Sequence, residues 1–215
     1  MTRLTVDISA SLDGYVAGPN PSMEDPLGVG GMRLHEWAFA ASSWQETHGH
    51  EGGEAGPDSD VIQEHVDAIG ASIMGRKMYS GGAGPWEDDP NARGWWGDDP
   101  PFHHPVFVLT HHARDPLEME GGTTFTFVTE GIEAALEQAH LVADGKDVHV
   151  AGGAEAAQQY LRTGLVDMLQ IHVAPVLLGS GTRLLDDLGD DPPALTVDRV
   201  VASPAVTHLR YRVAR

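Results

Sequence analysis

The chain has no cysteine among its 215 residues. Disulfides, thiolate zinc sites, iron–sulfur clusters and a cysteine nucleophile are therefore excluded. Positive charge is scarce too, with 13 Lys and Arg against 32 Asp and Glu and a formal net charge of −19. Nucleic acids and anionic membranes draw their affinity from Lys and Arg that neutralise phosphates, so neither is an expected partner. No stretch approaches the ~18 consecutive apolar residues of a membrane-spanning helix. The N-terminal residues begin at once on a strand pattern, without the basic start and apolar core of a signal peptide. The expected location is the cytoplasm and the expected partner a small-molecule substrate.

What the chain does have is a 41% hydrophobic fraction, with 26 Gly and 14 Pro. A single body of this size buries roughly 70% of its unfolded surface, and no linker or internal repeat divides the sequence. One domain over 1–215 is expected. Leu4, Val6 and Ile8 alternate with Thr5, Asp7 and Ser9, as in a strand buried on one side. Apolar residues at helical spacing predict a helix over 33–44, and a short helix over 61–69 follows an acidic, Gly-rich loop. Strands are predicted at 71–74, 106–109, 125–128 and 166–174. The run Val106-Phe107-Val108-Leu109 suits a strand covered on both faces. Helices are predicted at 130–143, with Thr129 as N-cap, and at 154–163. Residues 197–201 and 207–213 read as a closing antiparallel hairpin. The long segment 80–104 carries Trp86, Trp95 and Trp96, and loops of that length are usually functional or mobile.

Three motifs offer chemistry. Val148-His149-Val150-Ala151 runs into Gly152-Gly153 and then a helix beginning Ala154-Glu155. Free N–H groups at a helix start attract phosphate, and glycine lets it approach the main chain. Such Gly pairs also make plain strand-to-helix turns, and the G-x-G-x-x-G fingerprint is absent. Second, Gly75-Arg76-Lys77 leaves a strand with two cations in an acidic protein, suited to an adenosine 2′-phosphate or else a solvated turn. Third, Asp13 in Ser11-Leu12-Asp13-Gly14-Tyr15 is a turn residue, or a group that positions substrate or relays a proton. The 12 histidines include adjacent pairs such as His103-His104 and His111-His112. Neighbours on a strand point to opposite faces, so no metal site is expected.

These pieces, in order, resemble one family. They are Ser11-Leu12-Asp13-Gly14-Tyr15-Val16-Ala17, Met74-Gly75-Arg76-Lys77-Met78-Tyr79, Pro105-Val106-Phe107-Val108-Leu109-Thr110-His111, Ala151-Gly152-Gly153, Tyr160 to Asp167, and Val173 to Gly181. The family is the dihydrofolate-reductase-like superfamily, specifically the C-terminal reductase domain of the bacterial riboflavin deaminase–reductase and its stand-alone relatives. The resemblance implies a three-layer α/β fold, with a mostly parallel sheet of about eight strands, a C-terminal antiparallel hairpin and helices on both faces. It also implies NADPH as cofactor and a homodimer. Residue by residue, Gly75, Arg76 and Lys77 would hold the adenosine end, and Thr110 and His111 would line ribose and adenine. Gly152, Gly153, Ala154 and Glu155 would cradle the pyrophosphate, and Val16 and Ala17 would contact the nicotinamide. Two positions depart from the family pattern: Ala151 stands where a Glu precedes the Gly pair, and Tyr15 where a Lys follows Leu-Asp-Gly. Both changes remove polar groups suited to a ribityl phosphate. The expected activity is hydride transfer from NADPH to a C=N or C=O of a small planar heterocycle, with Asp13 as the catalytic candidate. The alternatives are a nucleotide-binding protein without turnover and a histidine-based metal hydrolase.

Overall fold

The computed structural model describes residues 2–22, 24–82, 84–186 and 188–214. The elements in chain order are β1 (Leu4–Ser11), β2 (Tyr15–Ala17), a 3-10 turn (Gly31–His35), α1 (Glu36–Ala40), α2 (Ser42–Thr47) and α3 (Pro57–Ala68). Then come β3 (Ile69–Gly75), α4 (Arg76–Ser80), β4 (Pro105–Leu109), β5 (Leu117–Glu118), β6 (Thr124–Val128), α5 (Ile132–Val142) and β7 (Asp147–Gly152). The chain finishes with α6 (Ala154–Arg162), β8 (Met168–Ala174), β9 (Thr182–Arg183), β10 (Leu195–Ala202) and β11 (Thr207–Val213).

Nine strands form one sheet in the order β10-β11-β8-β1-β7-β3-β4-β6-β5, and β2 and β9 form a separate ribbon. The pairs from β8 through β6 are parallel, whereas β10, β11 and β5 join antiparallel at the edges. This is the mostly parallel sheet with a closing hairpin that the sequence leads one to expect. A parallel sheet needs covering layers on both faces. One face packs Leu4, Val6, Ile73, Phe107 and Val150 against Ala135, Ala139, Tyr160 and Leu161 of α5 and α6. Tyr160 also donates its hydroxyl to the Ile132 carbonyl at 2.7 Å.

The other face is divided. Under β3, β4 and β6, the long segment 80–104 and α4 supply Tyr79, Trp86, Trp96 and Phe102, which pack on Val106, Val108, Phe125 and Phe127. Under β1, β8 and β11 lie α1 to α3, and the sheet there presents Asp7, Ser9, Gln170, His172 and His208. Tryptophans 37, 44, 86 and 96 are thus packing residues.

Two local expectations are corrected. The helix expected over 33–44 breaks at Ala41, which is extended (φ −77°, ψ 139°). Glu54, from the Gly-rich loop, bridges to Ala41 there; its amide donates to the Ala40 carbonyl (2.7 Å) and its carbonyl accepts from the Ser42 amide (3.0 Å). A Cβ on Gly53 would lie 2.7 Å from the Ser42 backbone, so glycine is what allows this insertion. Thr129 does not cap α5. The helix begins two residues later, with Gly131 at φ 97° in the cap position.

Candidate functional site

Because the central strands are parallel, their C-terminal ends gather along one edge. Ligands of open α/β sheets bind there, where neighbouring strands part. In this sheet the parting lies between β1 and β7. They pair only through Leu4↔Val148, Thr5↔His149 and Val6↔Val150. Beyond Val6, β1 follows β8 as far as Ser11↔Ala174, while β7 leans to β3 as far as Met74↔Gly152.

The Gly pair forms one wall of this crevice. Gly152 has φ 128° and is joined to Gly153 by a cis peptide. A Cβ on Gly153 would meet no atom within 4 Å, and α6 starts at Gly153 with no side-chain cap. Gly75 lies alongside, its would-be Cβ 3.8 Å from Gly152 O and Gly153 N. Lys77 Nζ stands 3.7 Å from Glu155 Oε2, and both side chains are largely exposed. A pair that open to solvent holds at most about 1 kcal/mol and can be exchanged for a ligand. Gly75, Lys77, Gly152, Gly153 and Glu155 therefore lie together at this corner.

Arg76 points elsewhere. It is 6% exposed, and its guanidinium lies 3.6 Å from the Trp86 ring centre. It bonds the Asp89 carboxylate and the Ser80 hydroxyl. Ser80 Oγ (2.7 Å) and the Asn91 amide (2.8 Å) also donate to Asp89. Burial opposes ionisation of Asp89, but these hydrogen bonds and the guanidinium hold its carboxyl below its ordinary range. Arg114 covers Trp86 as well, at 4.6 Å. Trp86 in turn donates to the His112 carbonyl at 2.6 Å. The cation expected at the adenosine phosphate thus anchors the segment 80–104.

Across the crevice, the turn after β1 is tied to the segment after β8. The Leu12 amide donates to Val176 O at 2.9 Å, and the Asp13 carboxylate accepts from the amides of Leu178 (3.2 Å) and Gly179 (2.7 Å). Hydrogen bonds from Ser11 and from these amides lower the Asp13 carboxyl to about 2. It is therefore ionised at neutral pH, an acceptor that fixes the loop and has no proton to give. Val16 packs in the main core, whereas Ala17 is partly exposed on the β2–β9 ribbon. Thr110 is buried, with its hydroxyl accepting from the His112 amide at 3.1 Å, and His111 is exposed beside it.

One residue outside the expected set also reaches this edge. Arg183 lies over the Tyr15 ring (4.3 Å), and its carbonyl accepts from Gln158 of α6 at 2.9 Å. As one of few cations in an acidic chain it stands out in sequence, but its two-residue strand gives no periodic signal. Among the described residues, no group of three or more His, Asp or Glu is arranged to hold a metal ion. No helix among them is long and apolar enough to cross a membrane.

The model of the family described as the RibD C-terminal domain matches residues 2–209. The chain belongs to that family. Its fold is shared with a protein from Shewanella sp. PV-4 assigned provisionally to riboflavin biosynthesis, with a TM-score of 0.64 at 20% identity over the full length of both chains. It is shared also with the diaminohydroxyphosphoribosylaminopyrimidine deaminase/5-amino-6-(5-phosphoribosylamino)uracil reductase of Thermotoga maritima. There the TM-score is 0.58 at 13% identity, covering 99% of this chain and 57% of that two-activity protein. In sequence, the chain is 21% identical over 199 residues to YyaP of Bacillus subtilis (strain 168), covering 86% of this chain and 81% of that one. Membership in the RibD C-terminal domain family agrees with the crevice and with the dihydrofolate-reductase-like architecture around it.

Proposed function

We propose that the protein is an NADPH-dependent reductase acting on a C=N or C=O carbon of a small planar heterocycle. The observation that carries this reading is the Gly152-Gly153 corner, where uncapped amides of α6 open into the crevice between β1 and β7. The residues fit a diphosphate. A Cβ at Gly153 would project into open space, which is the room a phosphate needs, and helix-start amides supply partial positive charge. When bound, the nicotinamide supplies the hydride. The protein orients and excludes water.

Asp13 keeps the 11–18 turn closed against 178–179. Ala17 and Tyr15, on the ribbon formed by β2 and β9, would flank a ring lying in the crevice. With Arg76 held by Asp89, Lys77 is the cation that would read the 2′-phosphate, at the cost of its weak pairing with Glu155. Ala151 in place of a Glu before the Gly pair, and Tyr15 in place of a Lys, support a substrate without a ribityl phosphate. A homodimer belongs to the same reading, and sedimentation measures it directly.

The test is thermal-shift titration. A ligand at 100 times its dissociation constant stabilises by about 2.7 kcal/mol. NADPH should stabilise more than NADH, and Lys77→Gln should remove the difference while leaving the Tm of the free protein unchanged. Equal stabilisation by NADH in the wild type contradicts the role of Lys77, and no shift with either cofactor contradicts the whole reading. One observation favours a second reading, binding without turnover: Asp13, expected to position substrate or relay a proton, has its carboxylate taken up by the amides of Leu178 and Gly179. NADPH that binds tightly yet is not oxidised by a panel of cyclic imines and ketones decides for that reading.

A further inference from the structure

The polar face of the sheet holds a chain of ionisable side chains drawn from four elements. Asp7 Oδ1 (β1) lies 2.6 Å from His172 Nε2 (β8), and His172 Nδ1 lies 2.6 Å from His208 Nδ1 (β11). His208 Nε2 is 3.0 Å from Asp58 Oδ1 at the start of α3, and the other Asp58 oxygen accepts from Ser203 at 2.8 Å. His172 and His208 are 4% and 3% exposed, and Trp37 of α1 packs on both rings at 4.6 and 5.0 Å. The far oxygen of Asp7 takes Gln170 (2.8 Å) and His65 (3.3 Å), the latter near the C-terminal end of α3.

The protons in this chain can be counted. Each Nε2 faces a carboxylate oxygen, so each must carry an N–H. The two Nδ1 atoms face each other, so a proton must lie between them. That makes three N–H on two rings, one more than two neutral imidazoles possess. Without it, two lone pairs meet at hydrogen-bond distance; with a fourth, two N–H groups collide.

We propose that His172 and His208 form a buried site for a single shared proton, and that this proton latches α3 to the sheet. The remaining groups facing the pair are consistent with one positive charge there. Asp7 and Asp58 flank it. Burial alone would raise the Asp7 carboxyl, but the charges and hydrogen bonds of His172 and His65 hold it well below the carboxylate range. Burial and the neighbouring His172 push His208 down despite Asp58, which opposes a second charge on the pair. His149 of β7 is pushed to about 3 by burial and His65 and stays neutral. His35, from the turn before α1, is likewise lowered by burial. His65 is raised, the pull of Asp7 outweighing burial. Farther along the face, Glu64 of α3 pairs with Arg199 of β10 and Arg210 of β11, and Asp198 of β10 pairs with Arg210 and Arg212 of β11.

Below the free histidine value of about 6.5, the unfolded chain takes two protons where the folded pair has room for one, so stability falls as pH drops, by up to about tenfold in the equilibrium constant per pH unit. Loss of the shared proton as pH rises leaves two Nδ1 lone pairs facing each other across 2.6 Å, so the latch weakens on that side too.

Nitrogen-15 NMR of the histidines in the intact protein at pH 6.5 tests the count. The expected result is both Nε2 atoms protonated and one proton shared by the two Nδ1 atoms. A ring with a bare Nε2, or both Nδ1 atoms protonated, overturns the proposal. His208→Gln, which removes the facing Nδ1, should leave His172 with a single N–H and speed hydrogen exchange of the 57–68 amides several-fold at pH 6.5. A His172 that keeps two N–H in the folded variant, or exchange that is unchanged, contradicts the latch. Should the variant fail to fold, the NMR count on the wild type still decides.

Discussion

Both faces of β1 are covered, but by opposite chemistry. On one, Leu4 and Val6 meet the alanine-rich surfaces of α5 and α6, an interaction without direction or charge. On the other, Asp7 and Ser9 meet His172, His65 and Trp37, where every interaction has a donor and an acceptor. Truncating an apolar side chain leaves a cavity, whereas truncating one polar partner leaves the other buried and unpaired. The first face should be indifferent to pH, and the second should depend on it throughout.

The largest effect is expected from Asp7→Ala. It removes the counter-charge of His65 and His172 together, and breaking such buried pairs costs about 3–5 kcal/mol. Leu161→Ala on the opposite face should cost about 2–5 kcal/mol. Urea unfolding at several pH values separates them. The Asp7 carboxyl is depressed in the folded state, so its contribution is present above the unfolded carboxylate value and vanishes as pH falls through the folded one. The Leu161 cost should stay constant over the same range, and a constant Asp7 cost would erase the distinction between the faces.

Next in size is the acid limb of the wild type. Burial lowers His104 to about 4 and His149 to about 3. Each stays neutral when folded but takes a proton when unfolded once pH drops below about 6.5, so stability should fall by several kcal/mol towards pH 4. A thermal midpoint flat from pH 7 to 4.5 would contradict this. Smaller and local is Arg76→Gln, which frees Asp89 and uncovers Trp86. It should speed proteolysis within 80–104 several-fold and cost about 1–3 kcal/mol. Lys77→Gln, whose side chain is 70% exposed, should change stability by less than about 0.5 kcal/mol.

Much of this architecture is legible in the sequence, and the omissions have a common cause. Strand positions, the Gly152-Gly153 corner and the closing hairpin follow from periodicity and from motifs in order, because each is local. The break at Ala41 is not local, since it depends on Glu54 returning to pair there. The inward turn of Arg76 depends on Asp89, a residue inside a loop without periodicity. The histidine chain joins residues 7, 58, 172 and 208, which no spacing rule connects. A signal for it did exist. The alternation that makes Asp7 and Ser9 the second face of β1 places them in the middle of a mostly parallel sheet, where both faces are covered. Polar residues there must find partners rather than water.

The central claim is that a dinucleotide rests its diphosphate on the amides that open α6. The most direct measurement is NADPH binding by calorimetry to the wild type and to Gly153→Val. Gly153 has an ordinary φ of −69° and open space where a Cβ would stand, so the substitution fills the cradle while leaving packed neighbours untouched. The predicted result is at least a tenfold loss of affinity, about 1.4 kcal/mol, in a variant that keeps its fold. Unchanged affinity in the folded variant would place the cofactor elsewhere and contradict the account.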